Sequence, residues 1–210
     1  MTPSASRRPR GRPRQTPDDF DQKRLAIAEA ARTLFAQHGY SAVSIRRVAV
    51  AAGVTPMTIY RYFDAKVDLL RFLWAEVFGT LFDLLERVAA SEPDAHARLL
   101  AVARGYVRFW TDHPEHYRMV FMAEGVSQPE VSVFALDDDV AARFYLFARC
   151  VADVVPRSQT ATIPEKTQLL VCALQGIAHT RITISAYPWL DPDGLVESLV
   201  DALVRTRARR

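Results

Sequence analysis

The run Thr55-Pro56-Met57-Thr58-Ile59-Tyr60-Arg61-Tyr62-Phe63 holds the residues with the most readable chemistry. At helical spacing Ile59 and Phe63 fall together on an inner face, which leaves Thr55, Pro56, Met57, Thr58 and Arg61 as an outer face that is small, polar or extended. Such a face can approach the edges of base pairs. Arg61 can donate bidentately to guanine, and Pro56, Met57 and the methyl of Thr58 can touch thymine methyl groups. A second constellation lies far downstream, where Gln175 and His179 stand four residues apart in an otherwise apolar helix beside Gly176. Buried polar side chains must be satisfied by protein, water or ligand, so this pair is a candidate for facing a cavity. A third group, Asp112, His113, Glu115 and His116, crowds Pro114 and reads as exposed capping groups rather than a metal site, which would also need fixed geometry and a second shell.

These groups need helices to hold them, and helical periods recur along the whole chain with no alternating run long enough for a sheet. The expected fold is all-α with about nine helices. The first carries Leu25, Ile27, Ala28, Ala31, Leu34 and Phe35 and stops at Gly39. Ser44 caps a second with Ile45, Val48, Ala49 and Ala52 on one face, and Thr55 caps a third after the turn at Gly53. Two short helices joined in this way have the form of a helix-turn-helix. A long apolar fourth helix covers residues 65 to 89, a fifth about 94 to 112, and Pro114 begins a short sixth with Tyr117, Val120 and Phe121. Residues 128 to 133 read as a loop, and a seventh helix runs from the acidic triplet at 137 to 139 to about Val155. Pro164 opens an eighth, apolar on nearly every side. The ninth, after Pro192, shows a stripe of Leu195, Leu199 and Leu203 that a short terminal helix cannot cover without a second surface.

Charge separates the two ends. Residues 1 to 63 hold eleven Lys/Arg against four Asp/Glu, and the remainder is net negative, so the net charge of +3 conceals a basic end suited to a polyanion. Four prolines and five arginines in residues 1 to 17 predict a flexible arm, in which Arg10-Gly11-Arg12-Pro13-Arg14 resembles the core of a minor-groove hook. The longest uncharged stretch of the most apolar region, Thr167 to Thr180, is shorter than the roughly 18 residues of a membrane span. The basic start leads into Asp18 and Asp19 rather than an apolar secretory core, so a cytoplasmic location is expected. Cys150 and Cys172 read as two reduced core thiols. No GxSxG, Walker loop, GxGxxG, HExxH or CxxC is present, and neither enzyme activity nor a cofactor is expected.

The set Ala30-Ala31, Leu34-Phe35, His38-Gly39-Tyr40-Ser41, Ser44-Ile45-Arg46-Arg47-Val48-Ala49, Ala52-Gly53-Val54-Thr55, Ile59-Tyr60-Arg61-Tyr62-Phe63, Lys66 and Leu69-Leu70 resembles the tetracycline-repressor (TetR) family of bacterial regulators. The match is ungapped from Leu25 to Leu70. The resemblance implies three parts: the arm (1–17), a helix-turn-helix DNA-binding domain (18–66), and a helical ligand-binding and dimerisation domain (67–210). It implies that Ser44 and Thr55 meet phosphates through cap hydroxyls and helix N-termini, with Arg46 on the same DNA-facing set. Tyr60 and Lys66 are implied to make further backbone contacts, and Thr58 and Arg61 to read bases. Met57 departs from the family, which often places a small residue there. A pocket in the larger domain is further implied, and Tyr106, Trp110, Phe121, Phe147, Gln175 and His179 are the candidates to line it. The apolar stripe then joins two copies through Leu174, Leu195, Leu199 and Leu203. The implied function is a homodimeric regulator, most often a repressor, released from a palindromic operator by a small apolar or amphipathic effector. A nucleoid-type DNA-binding protein, and a helical binding protein or enzyme with an incidental basic end, are the alternatives.

Overall fold

The computed structural model describes residues 16–127 and 138–205, and among them every regular element is helical. The helices are α1 (Pro17–His38), α2 (Ile45–Ala51), α3 (Pro56–Ile59), α4 (Lys66–Ser91), α5 (Ala95–Asp112), α6 (Pro114–Phe121), α7 (Asp138–Val154), α8 (Ile163–Thr183) and α9 (Pro192–Arg205). A short 3₁₀ segment, Arg157–Thr162, precedes α8 and was not foreseen in the sequence. Arg10, Arg12 and Arg14, and the loop expected at 128–133, lie outside the described residues.

Local chemistry sets the ends of these elements. Thr16 and Asp19 form a reciprocal cap on α1: the Asp19 N–H donates to Thr16 Oγ1 at 3.2 Å and the Thr16 N–H to Asp19 Oδ2 at 3.1 Å. Hydrogen bonding to the carboxyl from the Thr16 N–H, and next from the Thr16 side chain, holds Asp19 below its usual pKa. Asp94 caps α5 by accepting from the Ala97 N–H at 2.8 Å. Gly39 ends α1 with φ of 76°, a backbone angle that side-chain-bearing residues avoid.

Two apolar cores share α4 as their common wall. The first gathers Ile27, Ala28, Ala31 and Phe35 of α1, Val48 and Ala49 of α2, and Ile59 and Phe63, and extends to Leu69, Leu70 and Trp74 on the first turns of α4. The second takes Phe78, Leu81, Phe82 and Leu85 from the rest of α4 and packs them against α5, α7, α8 and α9. One helix is therefore a rigid link between both ends of the molecule. Outside the cores, α5 is tied to α9 by Arg104–Glu197 at 2.8 Å, His96–Asp201 at 3.2 Å and an Arg108–Asp193 pair. These ion pairs are largely exposed, so they align the helices more than they stabilise them.

Three expectations are corrected. Leu25 is exposed, because its position on α1 turns away from the α1–α3 core. Helix α8 is not buried all round: Leu170, Leu174, Ala178 and Ile182 face the core, whereas Leu169 is 56% exposed. Cys150 is a core thiol as expected, but Cys172 lies on that open face of α8, and both are free.

Candidate functional site

The turn between α2 and α3 closes through the Val54 N–H donating to Ala49 O at 2.9 Å, with Gly53 at φ of 64°. Ser44 caps α2 by accepting from the Arg47 N–H at 3.3 Å, and Thr55 caps α3 by accepting from the Thr58 N–H at 3.2 Å. Ile59 and Phe63 anchor the inner side, both buried. The outer side is open: Arg46, Thr55, Pro56, Tyr60 and Arg61 are exposed and Met57 is 74% exposed, while Thr58 is half-buried. Of the residues singled out for base and phosphate contact, Ser44 is exposed as well, and those of the arm lie outside the described residues. Lys66 has a task the sequence did not reveal. Its Nζ donates to Tyr40 O at 3.0 Å and Val43 O at 3.1 Å and sits 3.9 Å from the centre of the Tyr40 ring, clamping the α1–α2 turn to the start of α4.

The six candidate pocket residues also converge. Tyr106 packs edge-on against Trp110 and Phe147, with ring centres 6.2 and 5.6 Å apart, and Trp110 lies 5.2 Å from Phe121. Tyr106 donates its hydroxyl to Gln175 Oε1 at 2.6 Å. Gln175 Nε2 donates to the Tyr117 oxygen at 2.8 Å, which lies 3.0 Å from His179 Nδ1. Burial raises both phenol pKa values, so these hydroxyls stay protonated at neutral pH and can donate. Tyr117, the middle of this relay, was not among the candidates. Its signal was weak, since an aromatic on a short amphipathic helix reads as core. Tyr106, Trp110 and Phe147 are buried outright, whereas Phe121 is exposed; against the expectation of a buried polar pair, His179 is exposed and Gln175 half-buried.

The four leucines assigned to a dimer contact divide. Leu174 is fully buried and Leu203 only 3% exposed, so both side chains belong to the core of the single chain rather than to a second copy. Leu195 and Leu199 keep partial exposure. Leu169 on α8 is also open to solvent. Around Pro114, the ligand-capable atoms of His113, Glu115 and His116 all lie within 4.8 Å of one another, with His113 and Glu115 exposed. Desolvation lowers the His116 pKa.

Residues 27–72 match the description "Bacterial regulatory proteins, tetR family", and residues 99–203, half the chain, match "Tetracyclin repressor-like, C-terminal domain". The chain is 26% identical over 112 residues to the HTH-type transcriptional activator FasR of Mycolicibacterium smegmatis, covering 53% of this chain and 51% of that protein. It spans about half the length, or less, of the curated relatives it matches. In fold it is similar to the fatty acid degradation regulator FadR from Bacillus halodurans, with a TM-score of 0.71, 20% identity, and 90% and 97% of the two chains covered. It is also similar to FadR from Bacillus subtilis in complex with stearoyl-CoA, with a TM-score of 0.70, 19% identity, and 86% and 97% covered. The helix-turn-helix, the helical domain joined to it through α4, and these matches lead to one assignment: the chain belongs to the TetR family of bacterial regulatory proteins.

Proposed function

We propose that this chain is a DNA-binding transcriptional regulator that acts as a homodimer on a palindromic operator and leaves it when a small amphipathic effector binds. The exposed face Thr55 to Arg61, held on the helix-turn-helix by the buried Ile59 and Phe63, carries this reading. Phosphate contacts from Ser44, Arg46, Thr55 and Tyr60 position the domain, and Arg61 with Thr58 and Met57 specifies the sequence. Residues 10 to 14 extend the contact into an adjacent A·T-rich minor groove.

Support for the effector class comes from the aromatic interior with its polar relay, and from the FadR neighbour whose structure contains stearoyl-CoA. Support for the dimer comes from the open side of α8 and α9, where Leu169, Leu195 and Leu199 remain for a twofold mate. Selection of genomic DNA fragments bound by the purified protein, followed by release with candidate effectors, tests the reading. A shared inverted repeat and release by a ligand are the expected results. Binding without sequence preference and without any release would instead describe a nucleoid-type protein.

A further inference from the structure

A cleft of about 580 Å³ opens where α1, the end of the helix-turn-helix, α4 and α7 meet. Its volume falls in the range of small-molecule sites. Three guanidinium groups line it, Arg24 from α1, Arg71 from α4 and Arg143 from α7, together with the carboxylates of Asp64 and Asp68. The Arg24 group sits 4.6 Å from the centre of the Phe72 ring, and its buried Nε finds no hydrogen-bond partner. Arg71 pairs with Asp68 at 3.1 Å, and Arg143 with Asp83 and Glu86. These pairs are partly exposed and individually weak, so an anion can compete for the arginines. Phe78 and Phe82 form part of the apolar lining, and both also touch the aromatic interior. Phe78 lies 5.9 Å from Trp110, and Phe82 lies 6.5 Å from Phe147. Trp110 is fully buried, with its indole beside the Tyr106 hydroxyl.

We infer that this cleft is the mouth of the effector site: it takes an anionic amphiphile by its head on Arg24, Arg71 and Arg143 and lays the apolar body against Phe78 and Phe82. The inference rests on the ligand-release reading and names where and how that ligand is recognised. Planar guanidinium groups read carboxylate and phosphate alike, so fatty carboxylates and phosphate-bearing acyl thioesters share the required chemistry. Arg24 belongs to the DNA-binding end and Arg143 to the bundle. A ligand held by both favours one relative placement of the two cores, and that differential affinity is what a coupled site needs.

Gly79 offers a clean block. It lines the cleft on α4, and a Cβ built there meets no heavy atom within 4 Å, so a side chain can start there, and Gly79→Leu is chosen to take up cleft space. Palmitate, palmitoyl-coenzyme A and the neutral detergent dodecyl maltoside are titrated calorimetrically into the full chain, Gly79→Leu and Arg143→Gln, with operator binding measured in parallel. At least one anionic probe is expected to bind, at least tenfold more weakly to each variant, and the neutral detergent at least tenfold more weakly than that anion. Binding by palmitate assigns the head as carboxylate, and binding only by the thioester assigns it as phosphate. Unchanged affinity in both variants, equal binding of the neutral detergent, or no binding of either anion overturns the cleft assignment. The regulator reading would survive each of these wherever operator selection and release by another ligand succeed.

Discussion

The hydroxyls of Thr55 and Thr58 lie 2.9 Å apart, each the other's partner at the start of α3. That pairing draws the Thr58 hydroxyl toward the cap and leaves its methyl as the group best suited to an apolar base contact. Arg61 is different, because its side chain is exposed and makes no hydrogen bond or ion pair with the described residues. Its full donor fork is available to a guanine. Arg61→Ala is expected to cost about 1–3 kcal/mol on the preferred operator and to relax preference at one position, whereas Tyr60→Phe should weaken all sequences nearly equally. Competition against operators altered at single positions separates the two patterns. An unchanged preference in the Arg61 variant removes it from the reading set. The choice of Arg61 was legible from residue type and spacing, whereas the clamping role of Lys66 was not. Its acceptors Tyr40 O and Val43 O are backbone atoms more than twenty positions away, and main-chain carbonyls carry no residue signature.

Between elements, a turn adds to the packing of α6 on α1 and α4 that joins it to the DNA-binding end. Ser41, between α1 and α2, donates its hydroxyl to Glu124 O at 2.6 Å. The next residue, Gly125, has φ of 84°, and a Cβ there would stand 2.3 Å from Ser41 Oγ. Gly125→Ala is therefore expected to lower the thermal midpoint through two separable effects, the left-handed backbone penalty of about 1–2 kcal/mol and the clash. Adding Ser41→Ala should relieve only the clash. Thermal unfolding of the two single variants and the double variant measures the split, and simple additivity would remove the clash from the account. Nearby, Trp74 of α4 donates its indole N–H to Met119 O of α6 at 2.9 Å. A shift of α6 can thus reach the helix-turn-helix through the Ser41 turn, through α4 and through its own packing on α1.

For the whole molecule, the proposed twofold axis passes beside α8 and α9. Leu199 faces outward enough to meet a mate, so Leu199→Glu should place an unpaired charge in the contact and yield monomers with weak operator binding. Sedimentation velocity at micromolar concentration, with and without operator DNA, checks this. A wild-type protein that stays monomeric in both conditions would end the dimer proposal. In the dimer the two α3 faces are expected to reach half-sites about 34–36 Å apart, or a multiple of that spacing.

The helix order, the caps at Ser44 and Thr55, the glycine turns and the exposed side of α3 were all determined by the sequence, because each depends on periodicity and hydrogen bonds within a few residues. The tertiary structure decided which side of each apolar helix meets which neighbour. Leu174 and Leu203 look like their stripe-mates Leu195 and Leu199 in the sequence, yet the packing of α8 and α9 turns the first two into the chain's own core. Tyr106, Tyr117, Gln175 and His179 became one relay only when α5, α6 and α8 closed together, and Arg24, Arg71 and Arg143 became one cleft only across α1, α4 and α7. Such groupings join positions tens of residues apart. Residue types can name the participants, but only the long-range packing of helix faces puts them within reach of one another.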